Sequence, residues 1–417
     1  MNVLNDLRKG KIAPDDINVD LFTATKDKLL SGLEKGAGVD FAKVDYSSKD
    51  YNLLMEMRKN VYAFARCKEY QQLRAMNDLL LDKEGNIVPF SEFKRNIEAY
   101  RQQALKLNEQ YNVHWLEAEY QMAVHQAQAA VMWRDFEANK DLFPNLKYVT
   151  VGDERVRHSH AVLDGLIKAI DDPIWNTIYP PKDWGCRCHC EPTDEAPHDG
   201  DMPKGYKTDP AFDGNVGKEG SIFSDKHPYK LENGINKRKM AEEAEGLWAE
   251  ERRKINRKIY NDFAGDENYE QEFFDNKTGG FIIRHKNAQE TLTSSEKEVI
   301  NTLVNKGNRI IIPEYSYIPH TKNFDLTIDS SNWDIKELAG DMKRNTERKI
   351  EDAMEQANNV ILYLKEKPDM TEIVRGLGNV KNNKRLNSVM FIYNNKVAVI
   401  NIADIKAGNF DVLTKLL

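Results

Sequence analysis

The chain has 417 residues, 40 % hydrophobic and 30 % charged, with a formal net charge of −7. That length allows two or three domains, and no apolar run approaches the roughly 18–20 residues that a helical bilayer span requires. Met1 to Gly10 is polar and charged, without the apolar stretch of a secretory leader, so synthesis in a bacterial cytoplasm and no membrane partner are the expectations. The charge is uneven. From Asp275 onward there are 21 Lys and Arg against 19 Asp and Glu, leaving 39 against 48 in the first 274 residues. A mildly basic domain on an acidic carrier suits a nucleic-acid substrate.

Residues 1–45 show little periodicity and read as an arm with a short helix near Thr25–Leu33. From Asp50 to about Ala138 the pattern is helical: Leu53, Met57, Val61, Phe64 and Ala65 recur at three- and four-residue steps. The Gly85–Asn86 turn signal and Pro89 interrupt this run. A second helix is expected over Phe90–Tyr111 and a third over Val113–Asn139. At Phe143 the character changes to a short strand, a turn and a polar loop, then a Pro-, Trp- and Cys-rich stretch, and Gly/Pro/Asp-rich chain to Tyr229. So much irregular chain implies a loop-rich unit held by packing or by metal.

Cys67 stands alone, while Cys186, Cys188 and Cys190 share five residues. Their spacing makes an ordinary disulfide awkward. His158 and His160, with Cys186, Cys188, Cys190 and His189, offer the N and S ligands of a tetrahedral zinc site. His-x-His and Cys-x-Cys on two adjacent strands would converge, since alternate residues share a face. The same residues also read as small buried cysteines and loop-bonding histidines, and both readings stay open. The zinc reading takes His160, Cys186, Cys188 and His158 as its ligands.

Several rare residues of this region occur in a distinctive order: the GDERVR run at Gly152–Arg157, His160, Leu163–Asp164–Gly165, Asp171–Asp172–Pro173, Trp175, Pro180–Pro181, Trp184–Gly185 and Cys186–Arg187–Cys188. With the helical WLEAEYQMAVHQAQAAVMW upstream and GSIFSDKHPY downstream, the region resembles the Mu F-like minor head proteins of tailed phages. The resemblance covers roughly residues 45–230. It implies head morphogenesis, portal and head proteins as partners, and a place in the virion.

Lys237–Phe263 reads as a charged connecting helix. Beyond it, SSEKEVINTLVNKG is a helix with a Ser N-cap and a Gly stop. Strand-like runs follow at Arg309–Pro313, Phe324–Ile328 and Asn332–Leu338, then a helix over Thr346–Asn358 and a strand at Val360–Leu364. A short helix near Thr371–Leu377 and a hairpin turning at Asn394–Asn395 end the pattern. The expected fold class is therefore multidomain: an arm (1–45), an α-helical, loop-rich region (46–230), a helical linker (231–274) and an α/β domain (275–417) of order α-β-β-β-α-β, followed by α-β-β.

The chemistry of this last domain is read from NFDLTIDSSNWDIKE. Asp325 on one strand can approach Asp334 on the next, and Lys336 shares the face of Asp334. Two carboxylates beside a lysine suit Mg²⁺, with the lysine orienting water and offsetting phosphate charge. Glu296, on the helix face of Val299, Ile300 and Leu303, is expected to point toward the sheet. Gln356 is placed late in the following helix, between Ala353 and Ala357. As solvated strand residues, the same Asp and Lys would form a mere cross-strand ion pair.

Order and residues together resemble the PD-(D/E)XK nuclease superfamily and the C-terminal toxin domains of contact-dependent inhibition systems, with Asp334 where Glu is the commoner residue. The resemblance implies a nuclease acting on RNA or tRNA and an immunity protein as partner. A rival is the metal-free barnase–EndoU–colicin–RelE type of RNase, where the work would fall to His285, His320, Lys336, Thr346 and Arg348. A third reading makes the whole chain structural, with a binding module inside the head.

Overall fold

The computed structural model describes residues 6–7, 9, 11–13, 15–44, 46, 48, 50–78, 82, 88–89, 91–92, 95, 114–200, 202–230, 235–318 and 321–416. It divides into two units, Met1–Asp45 with Asp50–Trp248, and Tyr46–Lys49 with Ala249–Leu417. The helix expected over Phe90–Tyr111 falls almost wholly outside the described residues.

In the first unit, helix α1 (Val19–Ala37) begins at Asn18, whose side chain accepts from Leu21 N at 3.0 Å, and stops at Gly38 with a left-handed φ of +68°. It is twice the length expected for the arm. Helices α2 (Tyr51–Asp78) and α3 (His114–Ala138) follow. Helices α1 and α3 approach so closely that a Cβ on Gly36 would collide with the carbonyl of Val124, a contact only glycine permits. Leu29, Leu33, Met57, Val61, Phe64, Ala127 and Trp133 fill the core between the three helices.

Irregular chain then carries β1 (Asn145–Val149), α4 (His158–Ala161), β2 (Ile167–Ala169), α5 (Trp175–Ile178), β3 (His189–Thr193) and α6 (Val216–Glu219). The strands form an antiparallel sheet in the order β2-β1-β3. Side chains satisfy much of the backbone here: Trp175 Nε1 donates to Ala169 O at 2.8 Å, and Tyr179 Oη to Ala129 O at 2.7 Å. Helix α7 (Ile235–Asp262) is the expected charged helix. Its buried side carries Met240, Ala244 and Trp248, and the Trp248 ring meets Tyr62 edge-on at 5.4 Å.

The second unit is an eight-stranded mixed sheet in the order β11-β10-β9-β8-β7-β6-β5-β4. Its elements are β4 (Tyr269–Phe274), β5 (Phe281–His285), α8 (Ser294–Val304), β6 (Arg309–Ile312), β7 (Leu326–Ile328), β8 (Ser331–Leu338), α9 (Met342–Ala353), β9 (Asn359–Leu364), α10 (Met370–Val380), β10 (Ser388–Tyr393), β11 (Lys396–Asn401) and α11 (Ile402–Ala407). Helices α8, α9 and α10 each connect a parallel pair, β5–β6, β8–β9 and β9–β10. The expected order lacked the β4–β5 hairpin. Four of the six residues of β4 are exposed, so YEQEFF has no apolar alternation to reveal it.

Alternation along the strands separates two cores. Trp333, Ile335, Ile361 and Ile392 pack with Val299, Ile300 and Leu303 of α8. Leu338, Val360, Leu362 and Phe391 face the other way, against Ile350 of α9 and Ile373 and Leu377 of α10.

Candidate functional site

Strands β7 and β8 are joined by a two-residue turn in which Asp329 and Ser330 take φ of +46° and +68°, the positive values that a primed hairpin turn needs. The turn sets the register Leu326↔Trp333, Thr327↔Asn332 and Ile328↔Ser331. With Trp333 and Ile335 thereby committed to the α8 side, Asp334 and Lys336 project from the opposite face, that of Leu338. Strand β8 lies inside the sheet, and Val360 and Leu362 of β9 stand beside Asp334 and Lys336. Asp334 is only 2 % exposed, and Lys336 Nζ donates to its Oδ2.

Asp325 sits one residue before β7 rather than within a strand. Its N–H donates to Trp333 O at 3.1 Å, and its Oδ2 accepts from Ile335 N at 2.6 Å. Burial and the neighbouring Asp334 charge push the Asp325 carboxyl up to about 7. Burial also raises Asp334, against the pull of Lys336. Two carboxylates thus share one lysine where charge is poorly solvated, the situation a hard divalent cation relieves.

Glu296 bonds within its own helix start and lies within electrostatic reach of the two aspartates. Its helix packs on the Trp333 face, and its Oε2 accepts from Thr293 N at 2.6 Å to complete a capping box at the start of α8. It acts on both aspartates by charge alone, raising each. Gln356 lies past the end of α9, where its Oε1 accepts from Asn323 N at 2.8 Å and so holds the segment leading into Asp325. Asn323, which the sequence did not single out, also exchanges two hydrogen bonds with Ser316. Nothing local in the sequence marks it, because its partner Gln356 is 33 residues away. A shallow cleft lined by Leu292, Pro313, Tyr315 and Phe324 opens beside Asp325.

The described residues of the metal-free alternative do not converge. His285 ends β5, three strands from Lys336 on β8, about 14 Å at the usual strand spacing. It accepts from Asn287 N at 3.1 Å. Thr346 is fully buried, donating to Met342 O under Gly376, and Arg348 is exposed beside Asn345. His320 lies outside the described residues.

A second cluster lies in the first unit. His160 Nδ1 stands 3.6 Å from Cys186 Sγ and 3.9 Å from Cys188 Sγ. The Cys188 thiol and the His160 ring hold the Cys186 thiol down at about 4, against burial, while Cys186 and burial raise Cys188. The expected His-x-His strand is instead the single-turn helix α4, where residues two apart diverge. His158 is therefore exposed and turned away from the cluster, and Cys190 is buried in the core of the unit.

Residues 91–191 match the family model of Phage Mu protein F like protein. Residues 322–397 match that of the Contact-dependent growth inhibition CdiA C-terminal domain. The chain is 54 % identical over 57 residues to the Mu-like prophage FluMu F protein of Haemophilus influenzae, covering 14 % of this chain and 14 % of that protein. It is 38 % identical over 69 residues to the Putative capsid assembly protein F of Escherichia phage Mu, 16 % of each chain. These matches span only a small part of the relatives' own length. A solved CdiA-CT/CdiI toxin and immunity complex from Burkholderia pseudomallei aligns at 23 % identity and a TM-score of 0.22, covering 28 % of this chain and 96 % of that one. The chain thus joins a Mu F-like region and a CdiA C-terminal-like region in one polypeptide, and no described helix is long and apolar enough to cross a membrane.

Proposed function

We propose that the second unit hydrolyses phosphodiester bonds of nucleic acid, RNA or tRNA in particular, at Asp325, Asp334 and Lys336, with Mg²⁺ held by the two aspartates. The first unit is its carrier, a phage-head component associated with portal and head proteins in the virion. The observation that supports this most is the placement of Asp334. An ionised carboxylate on an inner strand beside Val360 and Leu362 costs several kcal/mol relative to an apolar side chain, and it stands near a second, half-buried carboxylate instead of a second cation.

The fit to a hard cation rests on that donor set: two oxygen ligands with excess negative charge, and one lysine. Bound there, Mg²⁺ would neutralise phosphate oxygens and lower the pKa of a water. The chain's own groups do the rest. Lys336, anchored on Asp334 yet a quarter exposed, reaches a phosphate at the surface of the site. Gln356 and the Trp333 and Ile335 backbone hold Asp325 against Asp334. Glu296 adds negative charge beside both aspartates and caps the start of α8.

A toxin of this kind needs an inhibitor in the producing cell, so an immunity protein is part of the proposal. The test is growth. Bacteria expressing the full chain should stop dividing, and Asp334→Ala should restore growth at equal protein level. Equal toxicity of the two would remove Asp334 from the function. The carrier role predicts copurification with particles or a portal complex, and absence from virions and procapsids alike would refute it.

A further inference from the structure

We propose that His160, Cys186 and Cys188 bind one zinc ion, which staples the loop carrying Cys186 and Cys188 to helix α4 and leaves its fourth position to water. The three ligand atoms lie within 4.8 Å of one another, the one such group of His, Cys, Asp or Glu among the described residues. Both sulfurs face the same ring nitrogen, at 3.6 and 3.9 Å. One imidazole nitrogen has one lone pair and cannot accept from two thiols equally well. In tetrahedral zinc, with Zn–S of about 2.3 Å and Zn–N of about 2.0 Å, neighbouring N and S ligands stand about 3.6 Å apart. The spacing is that of vertices around an ion.

The surroundings agree. His160 is 2 % exposed, so its ring is held in place beside the two sulfurs and shielded from water. The Tyr148 hydroxyl is buried beside Cys188, placed to donate to its sulfur once that sulfur is a thiolate. The segment from Thr150 to Gly185 carries two one-turn helices and a three-residue strand, so few ladder bonds fix it. A pocket lined by Val151, Arg155, Val156, Arg157 and Gly185 opens at the ligands, which gives the fourth vertex access to water. Zinc, with no redox chemistry and a preference for mixed N and S ligands, fits better than Mg²⁺ or Ca²⁺, which take oxygen.

The experiment uses the full chain, purified untagged under reducing conditions and then loaded with zinc. Elemental analysis should give close to one zinc per chain, unchanged in His158→Ala and Cys67→Ser and lost in Cys186→Ser and Cys188→Ser. Because either serine variant can misfold, the wild-type protein is also alkylated with and without chelator and the modified cysteines are mapped. Cys186 and Cys188 should be protected until the chelator is added, and cobalt should give a thiolate charge-transfer band. A folded chain that takes up no zinc, or that holds it with Cys188 equally reactive before and after chelation, overturns the proposal. This outcome is independent of the fate of Asp325 and Asp334.

Discussion

Asp325 brackets Asp334: its N–H donates to Trp333 O at 3.1 Å and its Oδ2 accepts from Ile335 N at 2.6 Å, one residue to either side. The backbone of β8 is thereby used to bring a second carboxylate against a first. Hydrogen bonds to the residues flanking Asp334 fix that approach more firmly than side-chain packing would, since the strand itself is locked into the sheet by β7 and β9.

Asp334→Asn separates function from folding. The amide keeps the shape but loses the charge that holds a hard cation, and nuclease activity should fall by about 10²–10⁴-fold, the range of a lost catalytic group. Stability should hold or rise, because a buried charge is removed and Lys336, a quarter exposed, turns to water. Thermal melts beside the activity assay check this. A melting point that falls with activity would mark Asp334 as structural.

Asp325 makes stability depend on pH in a specific window. Unfolded, its carboxyl titrates near about 3.9; folded, at about 7. The folded state retains the proton between these values, so the contribution is complete below about 4 and is lost as pH rises through 7. The loss is of the order of 2–4 kcal/mol after allowance for partial exposure. Asp325→Asn keeps an acceptor for Ile335 N and removes the titration. The difference in stability between variant and wild type, measured without divalent metal, should grow from pH 4 to 7. A difference that stays constant over that range contradicts the placement of Asp325.

Glu296 should separate cap from charge. Glu296→Gln preserves the capping box and should change stability by less than about 0.5 kcal/mol, with a mild effect on activity. Glu296→Ala removes the bond from Thr293 N and should cost about 1 kcal/mol. Denaturant unfolding of the two variants distinguishes them. A Gln variant as inactive as Asp334→Asn would place Glu296 among the metal ligands instead.

How much of this was legible in the sequence depends on whether the signal was local. The DSSN turn, the alternation of Trp333, Asp334, Ile335 and Lys336, and the Asn394–Asn395 turn are all short-range, and the elements they indicate are present. Convergence of His160 with Cys186 and Cys188 was foreseen from chemistry, but through the wrong geometry: a helical turn, not a strand, presents His160 and so turns His158 away. Two other placements were legible only in part, since helical spacing gives a face but not what a side chain bonds there. Glu296 shares a side with Val299 and Ile300, yet it sits in the first turn, where the unpaired Thr293 N–H captures it. Gln356 continues the register of α9, but the helix has already ended. Strand β4 was invisible because an exposed edge strand needs no apolar alternation.

The most direct measurement is cleavage of purified tRNA by the purified full chain, with Mg²⁺ and with excess chelator, followed by analysis of the product ends. Cleavage should require Mg²⁺, stop with chelator, fall by about 10²–10⁴-fold in Asp334→Asn and leave ends without a 2′,3′-cyclic phosphate. Cleavage that survives the chelator and leaves 2′,3′-cyclic phosphate would contradict a metal site at Asp325 and Asp334.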